Sequence, residues 1–134
     1  MEINQITGAI VDAAYHIHEE AGPGLLESVY ERILADILTG QGFAVQRQVI
    51  IPIHFAGIIY EEAFRADMIV ENCVIIEIKS VDRLAPIHKK QVLTYLKLSG
   101  IKVGLLITLG GEYLKGNIER LAMPGAPILP DSNP

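Results

Sequence analysis

Glu77 and Lys79 stand two residues apart in the otherwise apolar stretch VIIEIKS, residues 74–80. In an extended strand, alternate side chains point the same way. A carboxylate and an ammonium therefore share one face. Asp67 lies ten residues upstream and can join them if the chain turns back between. In an antiparallel hairpin, paired residue numbers have a constant sum and paired side chains share a face. A three-residue connection at 71–73 pairs Val70 with Val74 and Asp67 with Glu77. A two-residue turn pairs Val70 with Cys73 and puts Asp67 on the face opposite Glu77. Two carboxylates side by side repel, and one takes up a proton unless a cation intervenes. Mg²⁺ suits such a pair, since it prefers carboxylate and water oxygens. A bound ion of this kind polarises a phosphoryl oxygen and lowers the pKa of water. Lys79 would then orient the attacking water and offset charge gathering on phosphorus. The plainer alternative is an exposed ion pair on the wet face of an ordinary sheet. Spacing alone leaves both open, because a D…ExK pattern is short.

The elements that must position these residues follow from periodicity. Ile3, Ile6, Ile10, Ala13 and Ile17 fall at helical spacing and predict a helix over 3–19, stopped by Gly22-Pro23. A second helix is expected over 25–38, with Leu26, Val29, Ile33 and Ile37 as its buried stripe. Residues 43–55 alternate as a strand, and Pro52 within it marks an edge position or a bulge. After a turn at 56–57, a second strand is expected over 58–70, irregular near YEEA, and a third over 74–80. A third helix is expected over 84–98, with Asp82 as a cap and Pro86 in its first turn. KVGLLITL (102–109) reads as a strand buried on both faces, joined to the third by a right-handed parallel crossover. A last short strand fits within 113–122. The order ααβββαβ predicts one α/β domain over 1–122, a mixed β-sheet flanked by helices. The proline-rich stretch 123–134 is expected to be a loose tail.

Three segments, in order, resemble a known family. FRADMIVENCVIIEIKS is similar to the D-x(n)-ExK signature of PD-(D/E)XK nucleases. With GPGLLESVYE (22–31) and HKKQVLTYLKLSG (88–100), the chain looks like a member of the GxxExxY family within that superfamily. Gly24, Glu27 and Tyr30 supply the naming motif, and Gln91 and Tyr95 match a QxxxY element. Where the family usually reads Asn-Phe after the last core strand, this chain has Thr108-Leu109. The resemblance implies a restriction-endonuclease-like fold and a nuclease hydrolysing phosphodiester bonds, in DNA before RNA, with Mg²⁺ or Mn²⁺. It implies Glu27, Asp67, Glu77 and the carbonyl of Ile78 as metal ligands. Lys79 would assist the water, Gln91 and Tyr95 would position water or phosphate, and Tyr30 and His88 would support them. Each supporting residue has a plainer reading. Glu27 can stabilise a helix N-terminus by its charge, Tyr30 can be a core aromatic, and Gln91 and Tyr95 can belong to an ordinary amphipathic helix.

The chain has 134 residues and a formal net charge of −5. That counts against a module binding DNA by charge alone and less against a metal enzyme, whose ligands are acidic. It favours, as the alternative function, a non-catalytic nuclease-fold domain binding a partner protein or a nucleic-acid structure. A core this small offers little surface for gripping a duplex, so a homodimer or a protein partner is expected. The single cysteine, Cys73, excludes an internal disulfide and a cysteine-based zinc site. His16 and His18 diverge by about 200° on a helix, so they do not chelate one ion. No phosphate-binding GxxxxGK[ST] loop occurs, and the glycines of GLLITLGG are wrongly spaced for a dinucleotide. With no signal peptide and no apolar run of about 18 residues, a cytoplasmic protein is expected.

Overall fold

The computed structural model describes residues 2–127. Its elements run α1 (Ile3–Ala21), α2 (Glu27–Gly40), β1 (Val45–Phe55), β2 (Ile58–Val70), β3 (Val74–Lys79), α3 (Pro86–Ser99), β4 (Val103–Thr108) and β5 (Ile118–Ala122). The five strands form one sheet in the order β1-β2-β3-β4-β5. Only β3 and β4 pair in parallel. The expected ααβββαβ architecture is present, with β5 added at the far edge.

The sheet has two covered faces. On one, α1 and α2 pack Ile6, Ile10, Ile17, Tyr30, Leu34 and Leu38 against Val74, Ile76 and Ile78 of β3 and alternate residues of β4. On the other, α3 packs Val92 and Leu96 against Ile75, Leu106, Ile69 and Ala66. Gly104 on β4 lets α3 approach closely, since a Cβ there would lie 2.8 Å from Val92 Cγ1. Strands buried on both faces carry near-continuous apolar sequence, which is why β3 and β4 read as unbroken runs.

Two sequence expectations need correction. The buried stripe of α2 is Tyr30, Glu31, Leu34, Ala35 and Leu38, while Leu26 is 72% exposed. Each residue advances a helix by about 100°, and α2 carries apolar residues on both sides of its true stripe. The expected stripe was therefore one residue early. Residues 123–127 are not a loose tail either. The Met123 amide donates to the Lys102 carbonyl at 2.8 Å, and an Arg120 Nη2 group donates to the Pro127 carbonyl at 3.1 Å. Ala126 packs against the main core. Residues 128–134 of that stretch lie outside the described residues.

The β1–β2 hairpin is the unusual element. Its turn, Ala56-Gly57, has both residues at positive φ, 52° and 79°, as a two-residue hairpin turn requires. The register shifts between Ile51 and Ile53, opposite the extra residues of β2. Pro52 thus sits on an edge strand and at a bulge. β2 pairs with β3 only from Met68 to Val70, so residues 58–66 project past the rest of the sheet. Phe55, Ile58, Ile59 and Tyr60 near the tip are each about half exposed or more.

Candidate active site at the break between strands two and three

The connection at 71–73 has three residues and pairs Val70 with Val74. Continuing that register brings Asp67 opposite Glu77, but the ladder ends one pair earlier, at Met68 and Ile76. There the carboxylates take over from the backbone. The Asp67 amide donates to Glu77 Oε1 at 3.1 Å, and the Ile78 amide donates to Asp67 Oδ2 at 2.9 Å. Each acid therefore sits in the gap where β2 leaves β3 and satisfies an amide that lost its ladder partner.

A backbone irregularity on the neighbouring strand marks the same place. Strict alternation would put Val45 and Val49 on one face, yet Val45 packs toward α1 and α2 and Val49 toward α3. On β2, Met68 faces α1 and α2 while Ala66 faces α3. Both strands change face between the pairs Arg47–Met68 and Val49–Ala66. Gln48, between them on β1, has φ +51°, a region costly for a residue with a side chain. Asp67 is the residue of β2 at this break.

A cavity of about 260 Å³ opens beside the pair, lined by Glu27, Ser28, Glu31, Gln48, Asp67, Ile78 and Lys79. Glu31, which the sequence reading did not single out, is only 4% exposed. Its Oε2 accepts from Arg47 Nη2 at 2.6 Å and Nε at 3.1 Å, and its Oε1 accepts from Gln48 Nε2 at 2.6 Å. The signal for it was a carboxylate inside a helix four residues after Glu27, hidden by the misphased stripe. Arg47 holds Glu31 in place, and Gln48 ties α2 to the break.

Glu77 is 5% exposed. Its pKa is pushed up from an ordinary 4.5 to about 8, first by burial and then by the negative charge of Asp67, against weaker opposition from the Asp67 amide and Lys79. Near neutral pH the pair thus retains a proton, as two close carboxyls in a poorly solvated place do. This donor chemistry fits a hard divalent cation, which could replace the proton and relieve the repulsion. The set is a pair rather than the expected triad. Among the described residues no group of three or more His, Cys, Asp and Glu side chains is arranged to hold a metal ion. Glu27 stands exposed at the first residue of α2 and lines the cavity, but it is not gathered with Asp67 and Glu77.

The other expected residues divide. Lys79 and Ile78 line the cavity with Asp67. Gln91 and Tyr95 belong to α3 and do not line it. Gln91 is exposed, and Tyr95 stacks on Phe64 with ring centroids 4.1 Å apart. Tyr95 is nonetheless close enough to sense the pair. Its pKa is raised first by burial and next by the charge of Glu77, while a hydrogen bond with Gln91 opposes the shift. Tyr30 orients no carboxylate. Its buried hydroxyl donates to the Gly22 carbonyl at 2.6 Å and accepts from the Leu25 amide at 3.2 Å, which clamps the loop before α2. His88 caps α3, its Nδ1 accepting from the Ala85 amide at 3.0 Å. The Thr108 hydroxyl bonds the Val81 carbonyl, and the Leu109 amide bonds the Lys79 carbonyl at 3.1 Å. The residues that depart from Asn-Phe thus fix the loop that follows Lys79.

The family model described as the PD-(D/E)XK nuclease superfamily matches residues 4–121. A solved structure described as "Crystal structure of SSO0001" is 24% identical, with a TM-score of 0.47, over 83% of this chain and 62% of that one. The chain thus spans less than two thirds of that protein's length. Among curated proteins none matches. No helix among the described residues is long and apolar enough to cross a membrane.

Proposed function

The chain belongs to the PD-(D/E)XK nuclease superfamily, and from that premise we propose that it is a divalent-metal-dependent nuclease hydrolysing phosphodiester bonds, with DNA as its substrate. The observation that carries the reading is the pair of bonds across the strand break, from the Asp67 amide to the Glu77 carboxylate and from the Ile78 amide to the Asp67 carboxylate, with Lys79 in the adjoining cavity. The Gly24, Glu27 and Tyr30 spacing supports a finer assignment, to the GxxExxY family.

Asp67 and Glu77 would hold Mg²⁺ or Mn²⁺, with the Ile78 carbonyl as a further donor and Glu27 reaching in through water. Such an ion, when bound, supplies Lewis acidity toward the phosphoryl group and makes water a better nucleophile at neutral pH. The chain's own groups do the rest. Asp67 is held by the Ile78 amide, so its carboxylate is positioned before any ligand arrives. Lys79 presents an ammonium to the phosphate oxygens, where negative charge builds as the water oxygen bonds to phosphorus and the ester oxygen leaves. Gln91 and Tyr95 stand on α3, which covers the face of the sheet that Glu77 shares with Ile75 and Leu106, and they would set the polarity around Glu77 and position water or phosphate.

One observation favours the alternative, a non-catalytic nuclease-fold domain that binds a partner. Among the described residues no group of three or more His, Cys, Asp and Glu side chains is gathered at the break. Cleavage assays with Mg²⁺ and Mn²⁺ over single-stranded, duplex and branched DNA and over RNA distinguish the readings. The nuclease reading expects metal-dependent cleavage, lost in Asp67→Asn and in Lys79→Ala with the fold intact. Calorimetry should give a Mn²⁺ signal that disappears in Glu77→Gln. No cleavage by the wild type with either metal, together with a silent Mn²⁺ titration, would support the binding domain instead.

A further inference from the structure

Adjacent residues of a regular strand point to opposite faces. Arg47 and Gln48 are adjacent on β1, yet both reach the Glu31 carboxylate on α2. They can do so because the strand is turned at Gln48, whose φ is +51°. The bonds and the turn therefore come together: if Gln48 relaxed to extended backbone, its amide group would swing away from Glu31. A side chain makes positive φ costly, and such a conformation persists only where its surroundings hold it. Glu31 is placed to do so. It is buried in the α2 stripe with Tyr30 and Leu34, and a buried carboxylate that loses its partners is strongly destabilised.

The turn matters at Asp67. The pairs on either side, Arg47 with Met68 and Val49 with Ala66, set Asp67 opposite Gln48. Ile69 faces α3, so regular alternation would leave Asp67 on that side as well. The change of face brings it to the gap instead. There it lines the cavity with Gln48 and Glu31, and its Oδ2 receives the Ile78 amide at 2.9 Å. It also stays beside Glu77, whose Oε1 receives the Asp67 amide at 3.1 Å. The route from Glu31 to Asp67 thus runs through the backbone of one residue on each strand. Glu31 is itself committed. Its Oε2 accepts twice from Arg47 and its Oε1 accepts from Gln48, and the Arg47 guanidinium offsets its charge. It would have to give up these charge-assisted bonds to serve a cation.

We propose that Glu31 is a positioning residue: through Gln48 it locks the strand turn that aims the Asp67 carboxylate at the Ile78 amide and into the cavity. What this does for a cation rests on the reading that Asp67 and Glu77 hold one. What it does for the Ile78 amide does not. The role makes a distinctive demand on residue 48. Glycine takes positive φ without the Cβ penalty, so Gln48→Gly should hold the turn with no help from residue 31. A ligand or a packing role for Glu31 gives glycine at position 48 no such power.

The test reads amide hydrogen exchange by NMR in chelator and Mn²⁺ affinity by calorimetry. The proteins are the wild type, Glu31→Ala, and Glu31→Ala combined with Gln48→Gly. Glu31→Ala should speed exchange of the Ile78 amide about tenfold or more, relative to the amides of the β3–β4 ladder, by opening the gap locally. Mn²⁺ affinity should fall by a similar factor. Adding Gln48→Gly should recover most of both losses, because it rebuilds the turn without rebuilding the contact. Glu31→Gln, which keeps an acceptor for Gln48, should lose less than Glu31→Ala. If Glu31→Ala does not fold, Gln48→Val tests the same turn with Glu31 intact: a β-branched residue resists positive φ, and the same two losses are expected. Unchanged Ile78 exchange in the variant that folds would overturn the proposal. Losses that glycine at position 48 fails to recover would overturn it too, as would exchange that quickens evenly through the β3–β4 ladder. A faster Ile78 amide recovered by Gln48→Gly, with no Mn²⁺ signal and no cleavage in the wild type, would keep the positioning role and remove the nuclease reading.

Discussion

Glu77→Gln should change how stability depends on pH, by an amount the site itself sets. Glu77 is buried beside Asp67, and its pKa rises from 4.5 to about 8 in the folded chain. A group whose folded pKa lies above its unfolded value binds its proton more tightly when folded. Its contribution to stability is full below about pH 4.5 and is lost as pH rises toward 8. At about 1.4 kcal/mol per tenfold change in proton affinity, raising pH from 5 to 8 should cost the wild type roughly 3–4 kcal/mol through this one carboxyl. Glutamine keeps the oxygen that accepts from the Asp67 amide and carries no titrating proton. Urea unfolding of both proteins in chelator, at pH 5, 6.5 and 8, isolates the contribution of the pair, since groups away from Asp67 and Glu77 cancel in the difference. The wild type should lose stability relative to Glu77→Gln as pH rises, and added Mn²⁺ should restore it at pH 8 in the wild type alone. Parallel pH profiles for the two proteins would refute a proton held between these acids, and with it the argument that a cation has a conflict to relieve.

Two further substitutions test the scaffold around the site. Tyr30→Phe removes a buried hydroxyl that serves both the Gly22 carbonyl and the Leu25 amide, so it should cost about 1–3 kcal/mol in chemical denaturation without abolishing the Mn²⁺ signal. Gly110→Ala should be worse for the site than for the core. The new Cβ would fall 2.1 Å from the Ser80 carbonyl oxygen, which must push away the loop after Lys79, and metal-dependent cleavage should fall more steeply than the melting temperature.

The sequence was most informative where one physical rule decided the outcome. Helical and alternating periodicity located α1, the strands and α3, because each element buries a defined face. The parity of the 71–73 connection carried the relation of Asp67 to Glu77. Where two patterns compete, the reading slipped. In α2, Leu26, Val29, Ile33 and Ile37 form a stripe as regular as the true one, and choosing it hid Glu31. The face change at Gln48 had no signal in the sequence, since a glutamine at positive φ is favoured only by partners far along the chain. The loose tail was inferred from proline content alone, which is blind to the Met123 and Arg120 contacts.

The projecting hairpin has a consequence for how the molecule comes apart. Beyond Ala66, β2 leans on β1 and, through Phe64, on one ring of α3. Few contacts must yield for that arm to open while the rest of the sheet stays closed. The seam between the arm and the body runs through Asp67. A brief local opening there would let water reach Glu77 and carry its proton off, so ion exchange at the pair should keep time with the fraying of the hairpin and not with global unfolding.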